Sequence, residues 1–283
     1  MSCLLKRQAS CECGEWVRGD LICKGAWASV FKAYPVKLVE GFPDIMAVKV
    51  AEVSEPKKLT PLINEGQMLS EFQDCPFVIK YYGHEWTSNS DKKPVCLNLL
   101  LEYAAGGTLG DRIGKAGLVE SQVKDFTVSI LKGLQFIHEK GYVHGDIKPD
   151  NILLVPQVTS GSSHSEDNFV PKIADFGGTK RYWKEDILVG TPRYSPPETF
   201  FRQIQGTQAD IWALGCVVLE MLAPMLLPSE MKDIVRWVSN PIIPETLSDE
   251  AKDFLAKCLD KNASNRFTAR MLLTHSFLRK PSN

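Results

Sequence analysis

Apolar positions in the first hundred residues follow the pattern of β-strands. β-Branched and aromatic residues concentrate at residues 30–33 (Val-Phe-Lys-Ala) and 46–50 (Met-Ala-Val-Lys-Val), a composition that is typical of strands. A further apolar run at residues 94–103 predicts another strand. Residues 39–44 (Val-Glu-Gly-Phe-Pro-Asp) lie between the first two runs and predict a turn. The N-terminal part of the chain is therefore predicted to form a sheet.

A helical period appears once within this strand-rich region. Thr60 followed by Pro61 predicts a helix N-cap with proline at the first helical position. The residues that then share one helix face are Leu62, Glu65, Leu69 and Phe72. Glu65 is the charged residue on this otherwise apolar face, so we expect it to have a partner of opposite charge.

Beyond the connector at residues 104–107 the pattern becomes mainly helical. Ser121 is predicted to cap a helix that ends near Gly141. The apolar face of this helix carries Val123, Phe126, Ile130, Leu134 and Ile137. From Asp210 the helical pattern continues to the end, with breaks at Pro224, Pro241 and Pro244. The sequence therefore predicts an α+β fold with a small β-rich lobe containing one helix and a larger, mainly helical lobe.

Two segments lack such patterns. Residues 1–15 are predicted to be a loose extension. Residues 158–168 (Val-Thr-Ser-Gly-Ser-Ser-His-Ser-Glu-Asp-Asn) are polar and low in complexity, which is typical of a mobile surface insertion.

Composition narrows the classes of function. The chain has 283 residues, 44% of them hydrophobic, which is enough for one large domain or two packed lobes. The net charge is -1 with no long basic run, so binding to nucleic acid or to an anionic membrane is not indicated. The apolar run at residues 211–227 is interrupted by Glu220 and Pro224, and it predicts a buried helix rather than a membrane span.

The cysteines and the N-terminus indicate the compartment. Eight cysteines are scattered along the chain. Cys11 and Cys13 form a close pair but lack the second pair that a zinc site would need. The first residues contain no long apolar core of a secretory signal. We therefore expect reduced thiols and a cytoplasmic or nuclear location.

The most informative stretch is residues 144–151 (His-Gly-Asp-Ile-Lys-Pro-Asp-Asn), followed by Asp175-Phe176-Gly177. Phosphoryl transfer needs a carboxylate that orients the attacking hydroxyl, oxygen ligands for Mg²⁺, and cations that offset the moving charge. The two motifs supply these groups, and in this order they resemble the catalytic loop and metal-binding motif of eukaryotic protein kinases. The alternative for each residue alone is an ordinary turn residue.

The resemblance implies roles for individual residues. Asp146 would be the catalytic base, and Lys148 would contact the transferred phosphoryl group. Asn151 and Asp175 would bind Mg²⁺. Lys49, at the end of Ala-Val-Lys at residues 47–49, matches the strand lysine that contacts the α- and β-phosphates of ATP. Glu65 would orient Lys49 through an ion pair.

The same resemblance implies an ATP site, although one motif departs from the family. Residues 23–30 align with the family's G-x-G-x-x-G-x-V, but only Gly25 remains of its glycines. Leu101 takes the gatekeeper position, and backbone groups of Glu102 and Ala104 would bond the adenine edge. The expected ATP contacts are Ile22, Cys23, Gly25, Ala28, Val30, Ala47, Lys49, Glu65, Leu101, Glu102, Ala104 and Leu153.

A second departure is Gly145, where most members of the family carry an arginine that meets a phosphate on the activation segment. The hydroxyls available on residues 175–198 are few: Thr179, Tyr182, Thr191, Tyr194 and Ser195. We therefore hypothesise that activity does not need phosphorylation of this segment.

Further positions resemble the serine/threonine class. The Gly190-Thr191-Pro192 turn and a pairing of Lys148 with Thr191 are typical of it. Glu198 would form a buried ion pair with Arg266, and Asp210 would cap the backbone of the catalytic loop. These last roles are structural, and breaking a buried pair on one side typically costs about 3–5 kcal/mol.

The resemblance covers about residues 16–279, with the lobes at 16–103 and 104–279. Trp-Val-Arg-Gly at residues 16–19 and residues 101–109 (Leu-Glu-Tyr-Ala-Ala-Gly-Gly-Thr-Leu) resemble MAP kinase kinase kinases. The catalytic loop without its arginine and the altered glycine loop resemble the plant-type members of that group. This implies transfer from ATP with Mg²⁺ to a protein hydroxyl, a downstream MAP kinase kinase being the candidate substrate; the oligomeric state stays open. Two alternatives remain: a pseudokinase scaffold, favoured by the altered glycine loop and Gly145, and a kinase of small molecules.

Overall fold

The computed structural model describes residues 6–9, 15–25, 28–37, 42–52, 56–88, 96–157, 168–182 and 190–279. The chain forms two compact units: unit 1 comprises residues 1–104 and 175–177, and unit 2 comprises 105–174 and 178–283. Residues 39–41 of the predicted turn and residues 158–167 of the predicted insertion lie outside the described residues.

Unit 1 is built on a six-stranded antiparallel sheet with the order β1-β5-β6-β4-β3-β2. The strands are β1 (Lys6–Ala9), β2 (Trp16–Lys24), β3 (Ser29–Pro35), β4 (Met46–Glu52), β5 (Tyr81–Ser88) and β6 (Cys96–Glu102). The helix α1 (Pro56–Glu71) lies between β4 and β5 in sequence. It packs against β4, β5 and β6. Its side chains Leu62 and Leu69 are buried, as is Phe72 immediately after it.

Two sequence predictions for unit 1 are wrong in detail. Residues 1–15 were predicted to be a loose extension, but within them β1 forms a strand. It pairs with β5 in the register Lys6–Ser88 to Ala9–Glu85. The helix expected to start at Thr60 and Pro61 begins at Pro56 instead. Pro56 satisfies the same rule for proline at the first helical position. The rule therefore holds, but the sequence analysis applied it to Pro61 instead of Pro56.

The sheet face opposite α1 has a core of its own. Trp16 from β2 covers it, together with Ala33, Met46, Val48, Val50 and Leu100. The indole Nε1 of Trp16 donates to Oε2 of the buried Glu85 at 2.7 Å. Both faces of the sheet are therefore buried, which fixes β4 and its lysine in register.

Unit 2 is mainly helical. Its helices are α2 (Leu109–Ile113), α3 (Glu120–Glu139), α4 (Pro197–Arg202), α5 (Thr207–Leu222), α6 (Met231–Ser239), α7 (Asp249–Cys258) and α8 (Ala269–Leu272). Its short strands are β7 (Tyr142–Val143), β8 (Ile152–Pro156), β9 (Phe169–Ile173) and β10 (Lys180–Arg181). They pair antiparallel as β7 with β10 and β8 with β9.

The helical predictions for unit 2 are largely confirmed. The predicted apolar face of α3 is buried from Val123 to Ile137. Its N-cap, however, is Val119, which makes no side-chain cap bond, and Ser121 lies inside the first turn. The central helix α5 is buried along most of its length and ends at Leu222, before Pro224. None of the helices that the structure describes is long and apolar enough to cross a membrane.

Candidate active site

Unit 1 brings together three charged side chains from distant parts of the sequence. Lys49 on β4 lies with its Nζ 2.6 Å from Oε2 of Glu65 on α1 and 3.0 Å from Oδ1 of Asp175. Glu65 is only 2% exposed, so the charge on the apolar face of α1 has the partner that the sequence predicted. The cation is thereby held between two carboxylates.

The charge of Lys49 is stabilised by this arrangement. Burial lowers the pKa of Lys49, but the negative charges of Glu65 and Asp175 and their hydrogen bonds outweigh it, so the pKa is raised above its ordinary value. The lysine therefore stays protonated over the whole physiological range. A fixed, partly buried cation of this kind can bind a phosphate.

The backbone around Asp175 is held in an unusual conformation. Asp175 has φ of 62°, in the left-handed region that non-glycine residues rarely adopt. The amide Nδ2 of Asn64 donates to the carbonyls of Phe176 at 3.2 Å and Gly177 at 3.0 Å. The buried Phe176 ring lies 5.4 Å from that of Phe72. These contacts maintain a strained residue, and such residues cluster at functional sites.

The glycine-poor segment joins β2 and β3, and its two described ends are hydrogen-bonded to each other. The backbone N–H of Gly25 donates to the carbonyl of Ala28 at 2.9 Å. A Cβ on Gly25 would lie 3.2 Å from that oxygen, so the one retained glycine is at the close approach. Cys23 is exposed and pairs with Val30 in the strand register. The strands β2 and β3 thus stay paired up to this segment with cysteine and alanine in place of the outer glycines.

The remaining predicted ATP contacts of unit 1 lie along the sheet. Ala47 and Leu101 are opposite each other on β4 and β6, and both are buried. Ile22 is exposed, and Ala104 is partly buried. The backbone N–H of Glu102 donates to the carbonyl of Lys80 at 2.9 Å, so a contact from Glu102 to adenine would have to use its carbonyl oxygen. In unit 2, Leu153 on β8 is partly buried.

Unit 2 holds the catalytic loop, where Asp146, Lys148 and Thr191 form a closed set of hydrogen bonds. Lys148 Nζ lies 2.7 Å from Oδ2 of Asp146 and 2.9 Å from Oγ1 of Thr191. The Thr191 hydroxyl in turn donates to Oδ1 of Asp146 at 2.8 Å. The pairing of Lys148 with Thr191 that the sequence predicted is present.

Asn151 and His144 orient the same loop. Asn151 Nδ2 donates to the carbonyl of Asp146 at 2.8 Å and to its Oδ2 at 3.1 Å. The ring of His144 bonds the carbonyl of Ala174 through Nε2 at 3.0 Å and accepts from the Asp146 N–H through Nδ1 at 3.2 Å. Because a carbonyl only accepts and an amide N–H only donates, these bonds select the Nε2–H tautomer.

Asp210, at the start of α5, caps the catalytic loop as predicted. Its Oδ2 accepts from the N–H of His144 and its Oδ1 from the N–H of Gly145, both at 2.9 Å. Nε2 of His138 lies 2.8 Å from Oδ2. Burial alone would raise the pKa of Asp210, but the hydrogen bond from His138 and that from the N–H of Gly145 help to hold it below its ordinary value.

The position where most kinases carry arginine has a backbone that suits glycine. Gly145 has φ of 84°, a conformation that glycine adopts without strain. Gly190, with φ of 126°, approaches so closely that a Cβ there would lie 2.6 Å from the Gly145 carbonyl oxygen. Nε2 of Gln205 donates to that same carbonyl at 3.1 Å. Sequence reasoning missed Gln205, because no motif includes it.

Most of the activation-segment hydroxyls noted in the sequence donate hydrogen bonds within the protein. Thr179 is buried and donates to the carbonyl of His144 at 3.4 Å. Tyr194 donates to Oε2 of Glu220 at 2.7 Å, and burial together with the Glu220 charge raises its pKa. Ser195 donates to the carbonyl of Thr191 at 3.2 Å. Tyr182 differs, since 55% of it is exposed.

The predicted ion pair of Glu198 with Arg266 is present and bidentate. The two guanidinium nitrogens of Arg266 lie 2.6 and 2.8 Å from the two carboxylate oxygens of Glu198. Arg266 is 3% exposed and also donates to the carbonyl of Gln208 at 2.9 Å. A planar fork with all its partners satisfied makes this a rigid anchor for α4.

The two predicted magnesium ligands fit that metal by donor type. Asp175 presents a side chain that is 46% exposed. The amide nitrogen of Asn151 donates hydrogen bonds within the loop. Its amide oxygen is therefore the atom that would bind a cation. Carboxylate and amide oxygens are the ligands that Mg²⁺ takes, and substrate phosphates supply further ones. Across the described ranges, no group of three or more His, Cys, Asp or Glu residues is arranged to hold a metal by protein ligands alone.

Comparison with known proteins agrees with this geometry. The model of the protein kinase domain matches residues 16–278. Mitogen-activated protein kinase kinase kinase 20 of Arabidopsis thaliana is 39% identical over 284 residues, which cover 93% of this chain and 78% of that protein. Mitogen-activated protein kinase kinase kinases 17 and 18 of the same plant are 38% and 36% identical over 93% of this chain, covering 69% and 77% of those proteins. The chain therefore belongs to the protein kinase family, whose members use ATP, and within it to the serine/threonine kinases of the mitogen-activated protein kinase kinase kinase group.

Proposed function

We propose that this protein transfers the γ-phosphoryl group of ATP to a serine or threonine hydroxyl of a protein substrate. The observation that carries the proposal is the bond from the Thr191 hydroxyl to Oδ1 of Asp146 at 2.8 Å. It demonstrates that the Asp146 carboxylate accepts a hydrogen bond from an aliphatic hydroxyl at the distance that a catalytic base needs. A substrate hydroxyl has the same chemistry.

The transfer step follows from this arrangement. The substrate hydroxyl donates to Asp146, its oxygen forms a bond to the γ-phosphorus, and the bond from that phosphorus to the β–γ bridging oxygen breaks. ADP leaves, and the hydroxyl proton passes to Asp146. Lys148, which lies 2.7 Å from Asp146, offsets the negative charge of the transferred group.

Nucleotide binding is assigned to the predicted residues. Lys49 would contact the α- and β-phosphates and be oriented by Glu65. The apolar side chains of Ile22, Val30, Ala47, Leu101 and Leu153 would line the adenine, while the turn of Cys23, Gly25 and Ala28 would cover the phosphates and the backbone of Glu102 and Ala104 would bond the adenine edge. Asp175 and Asn151 would hold Mg²⁺, which would neutralise negative charge on the phosphates.

The cascade role is proposed from the relatives. Their names place them as kinases of a MAP kinase kinase kinase tier, so the substrate we propose is a downstream MAP kinase kinase. We propose a kinase domain over residues 16–279, with lobes at 16–103 and 104–279, that acts in the cytoplasm or nucleus.

A second candidate function is a pseudokinase scaffold. Cys23 and Ala28 in the phosphate loop favour it, because glycines there let the backbone approach phosphates closely. The complete set of Lys49, Glu65 and Asp175 in unit 1 argues against it, since a scaffold would not need a lysine held between two carboxylates. The bond from the Gly25 N–H to the Ala28 carbonyl forms without the outer glycines, which removes part of the objection.

Replacing Asp146 with Asn tests the proposed function. We expect the wild type to transfer radiolabelled phosphate from Mg-ATP to a generic basic protein, and Asp146→Asn to lose about 10²-fold or more of this rate, the range in which general bases contribute. The matched control is Asp150→Asn, an exposed carboxylate on the same loop, which we expect to keep the rate.

The outcomes separate the candidates. Transfer that Asp146→Asn abolishes, with retained thermal stabilisation by Mg-ATP, supports an active kinase. Stabilisation of the wild type by Mg-ATP without any transfer would support the scaffold. Equal rates in the wild type and Asp146→Asn would contradict the role given to Asp146.

A further inference from the structure

The peptide bond that joins Gly145 to Asp146 is restrained at both of its polar atoms. Its carbonyl oxygen, on Gly145, accepts from Nε2 of Gln205 at 3.1 Å. Its N–H, on Asp146, donates to Nδ1 of His144 at 3.2 Å. The orientation of this peptide plane sets the direction in which the Asp146 side chain leaves the backbone. Gln205 therefore contacts the catalytic loop at the bond immediately before the proposed base.

Position 145 offers no side chain that could provide this restraint. Gly145 is fixed only through its backbone: its N–H donates to Asp210 at 2.9 Å, and its carbonyl accepts from Gln205. Gly190 approaches the same carbonyl without contributing a donor side chain. The amide of Gln205 is thus the side-chain donor that the structure shows at this oxygen.

The segment that carries Gln205 is itself firmly placed. It joins α4 to α5, and Gln203 within it has a left-handed φ of 60°. The N–H of Ile204 donates to the carbonyl of Glu198 at 3.1 Å, and the Thr199 hydroxyl donates to the carbonyl of Ile204 at 2.6 Å. Because Glu198 is anchored by Arg266, the Gln205 backbone is a fixed point from which its amide can hold the loop.

Space around the contact is limited. The cavity beside it has a volume of about 10 Å³ and is lined in part by Gly145, Asp146, Thr191 and Gln205. A cavity of this size holds at most about one water molecule. Shortening Gln205 would enlarge it, so water could partly replace the lost donor. A replacement with the same shape but without an N–H is therefore the sharper test.

We propose that Gln205 is a positioning residue for Asp146, acting by fixing the Gly145–Asp146 peptide plane. The inference rests on the proposed function, because it concerns how the base is oriented for the substrate hydroxyl. It also gives a physical reason why a loop with glycine at position 145 can be ordered without a phosphate on the activation segment. The anchor here is an uncharged amide supplied by the α4–α5 connection.

The experiment compares Gln205→Ala, Gln205→Glu and the wild type after phosphatase treatment, using Mg-ATP and the basic protein substrate. Losing one neutral hydrogen bond corresponds to about a fivefold to tenfold effect, so we expect kcat to fall about fivefold in Gln205→Ala. We expect a larger fall in Gln205→Glu, whose carboxylate cannot donate to the carbonyl. The KM for ATP should stay within about twofold in both, because Gln205 bonds the backbone of Gly145, which is not a proposed ATP contact.

The pH profile distinguishes positioning from a purely structural role. A protonated carboxyl can donate a hydrogen bond, so the rate of Gln205→Glu relative to the wild type should recover as pH is lowered. Gln205→Ala should show no such recovery. The matched control is Gln208→Ala, a neighbouring glutamine whose side-chain oxygen, like that of Gln205, is buried without a hydrogen-bond partner. It removes the same group without touching the bond to Gly145 and should keep the wild-type kcat.

Three results would overturn the inference. They are an unchanged kcat in both Gln205 variants, a fall in kcat that comes with an equal rise in the KM for ATP, and a Gln205→Glu rate that ignores pH. A wild type that transfers no phosphate would instead overturn the proposed function, and the inference with it. If the wild type transfers phosphate and both Gln205 variants keep its kcat, the inference is overturned but the proposed function is not.

Discussion

Two buried carboxylates, Glu65 in unit 1 and Asp210 in unit 2, show how similar burial can serve different ends. Glu65 is 2% exposed and Asp210 is 1% exposed. Glu65 faces the side chain of Lys49, a cation that it shares with Asp175. Asp210 instead receives two backbone N–H groups of the catalytic loop and the ring of His138. One carboxylate orients a functional cation, and the other fixes a chain conformation.

The difference teaches which contacts stability depends on. A backbone N–H cannot leave when its acceptor is removed, so it stays buried and unsatisfied. A lysine side chain can rotate or keep a second partner. We therefore expect mutations at Asp210 to act mainly on the free energy of unfolding and mutations at Glu65 to act mainly on the rate.

The largest effect should come from Asp210→Ala. Removing this acceptor leaves the N–H groups of His144 and Gly145 without their partner, and we expect the free energy of unfolding of the protein to fall by about 3–5 kcal/mol. Chemical denaturation monitored by circular dichroism measures it. Asp210→Asn is the control: it keeps one acceptor oxygen and should lose clearly less. An equal loss in the two variants would contradict the capping role.

A smaller effect, and on a different quantity, is expected for Glu65→Gln. The amide keeps the shape but not the charge, so Lys49 is less well oriented and kcat/KM for ATP should fall about 10- to 100-fold. The free energy of unfolding should change by less than about 1 kcal/mol. Asp175 remains 3.0 Å from Lys49, and burial, which raises the pKa of Glu65, already disfavours its charged form.

Glu71→Gln, at the exposed end of the same helix, provides the control for Glu65→Gln and should match the wild type in steady-state kinetics. If Glu65→Gln destabilised the protein as much as Asp210→Ala, the contrast between the two carboxylates would fail.

The smallest effect is expected on the pH dependence of the free energy of unfolding at acidic pH. The pKa of Asp210 is lowered in the folded state, below the ordinary value of about 3.9 that it has when unfolded. Its contribution to stability is therefore fully present above about pH 4 and is lost as pH falls through the lowered pKa. Denaturation curves between about pH 6 and pH 3 should show a steeper loss for the wild type than for Asp210→Asn, and parallel curves would contradict this assignment.

The parts of the site that sequence predicted share a physical reason. Lys49, Glu65 and Asp175 have roles tied to charge, and a charge on an apolar helix face or in a short motif is visible without coordinates. The Glu198–Arg266 and Lys148–Thr191 pairs were predicted from the family resemblance alone. Their distances could only come from the structure.

What sequence did not predict depends on the folded backbone. Gln205 matters through one carbonyl that the fold brings within 3.1 Å, and a lone glutamine in a connection has no pattern. The strand β1 was missed because a short, polar run has no alternation, and its pairing with β5 decides its conformation. The start of α1 and the cap of α3 were placed wrongly because local cap rules allowed more than one residue.

The close approach of Gly190 to the Gly145 carbonyl limits which amino acids evolution can place at position 190. Any side chain at 190 would need both an unfavourable φ of 126° and an atom 2.6 Å from that oxygen. Gly206, the residue immediately before α5, has nothing within 4 Å of its would-be Cβ. Surveys of natural alleles should find position 206 free to accept other amino acids, whereas position 190 should remain glycine wherever the enzyme is retained.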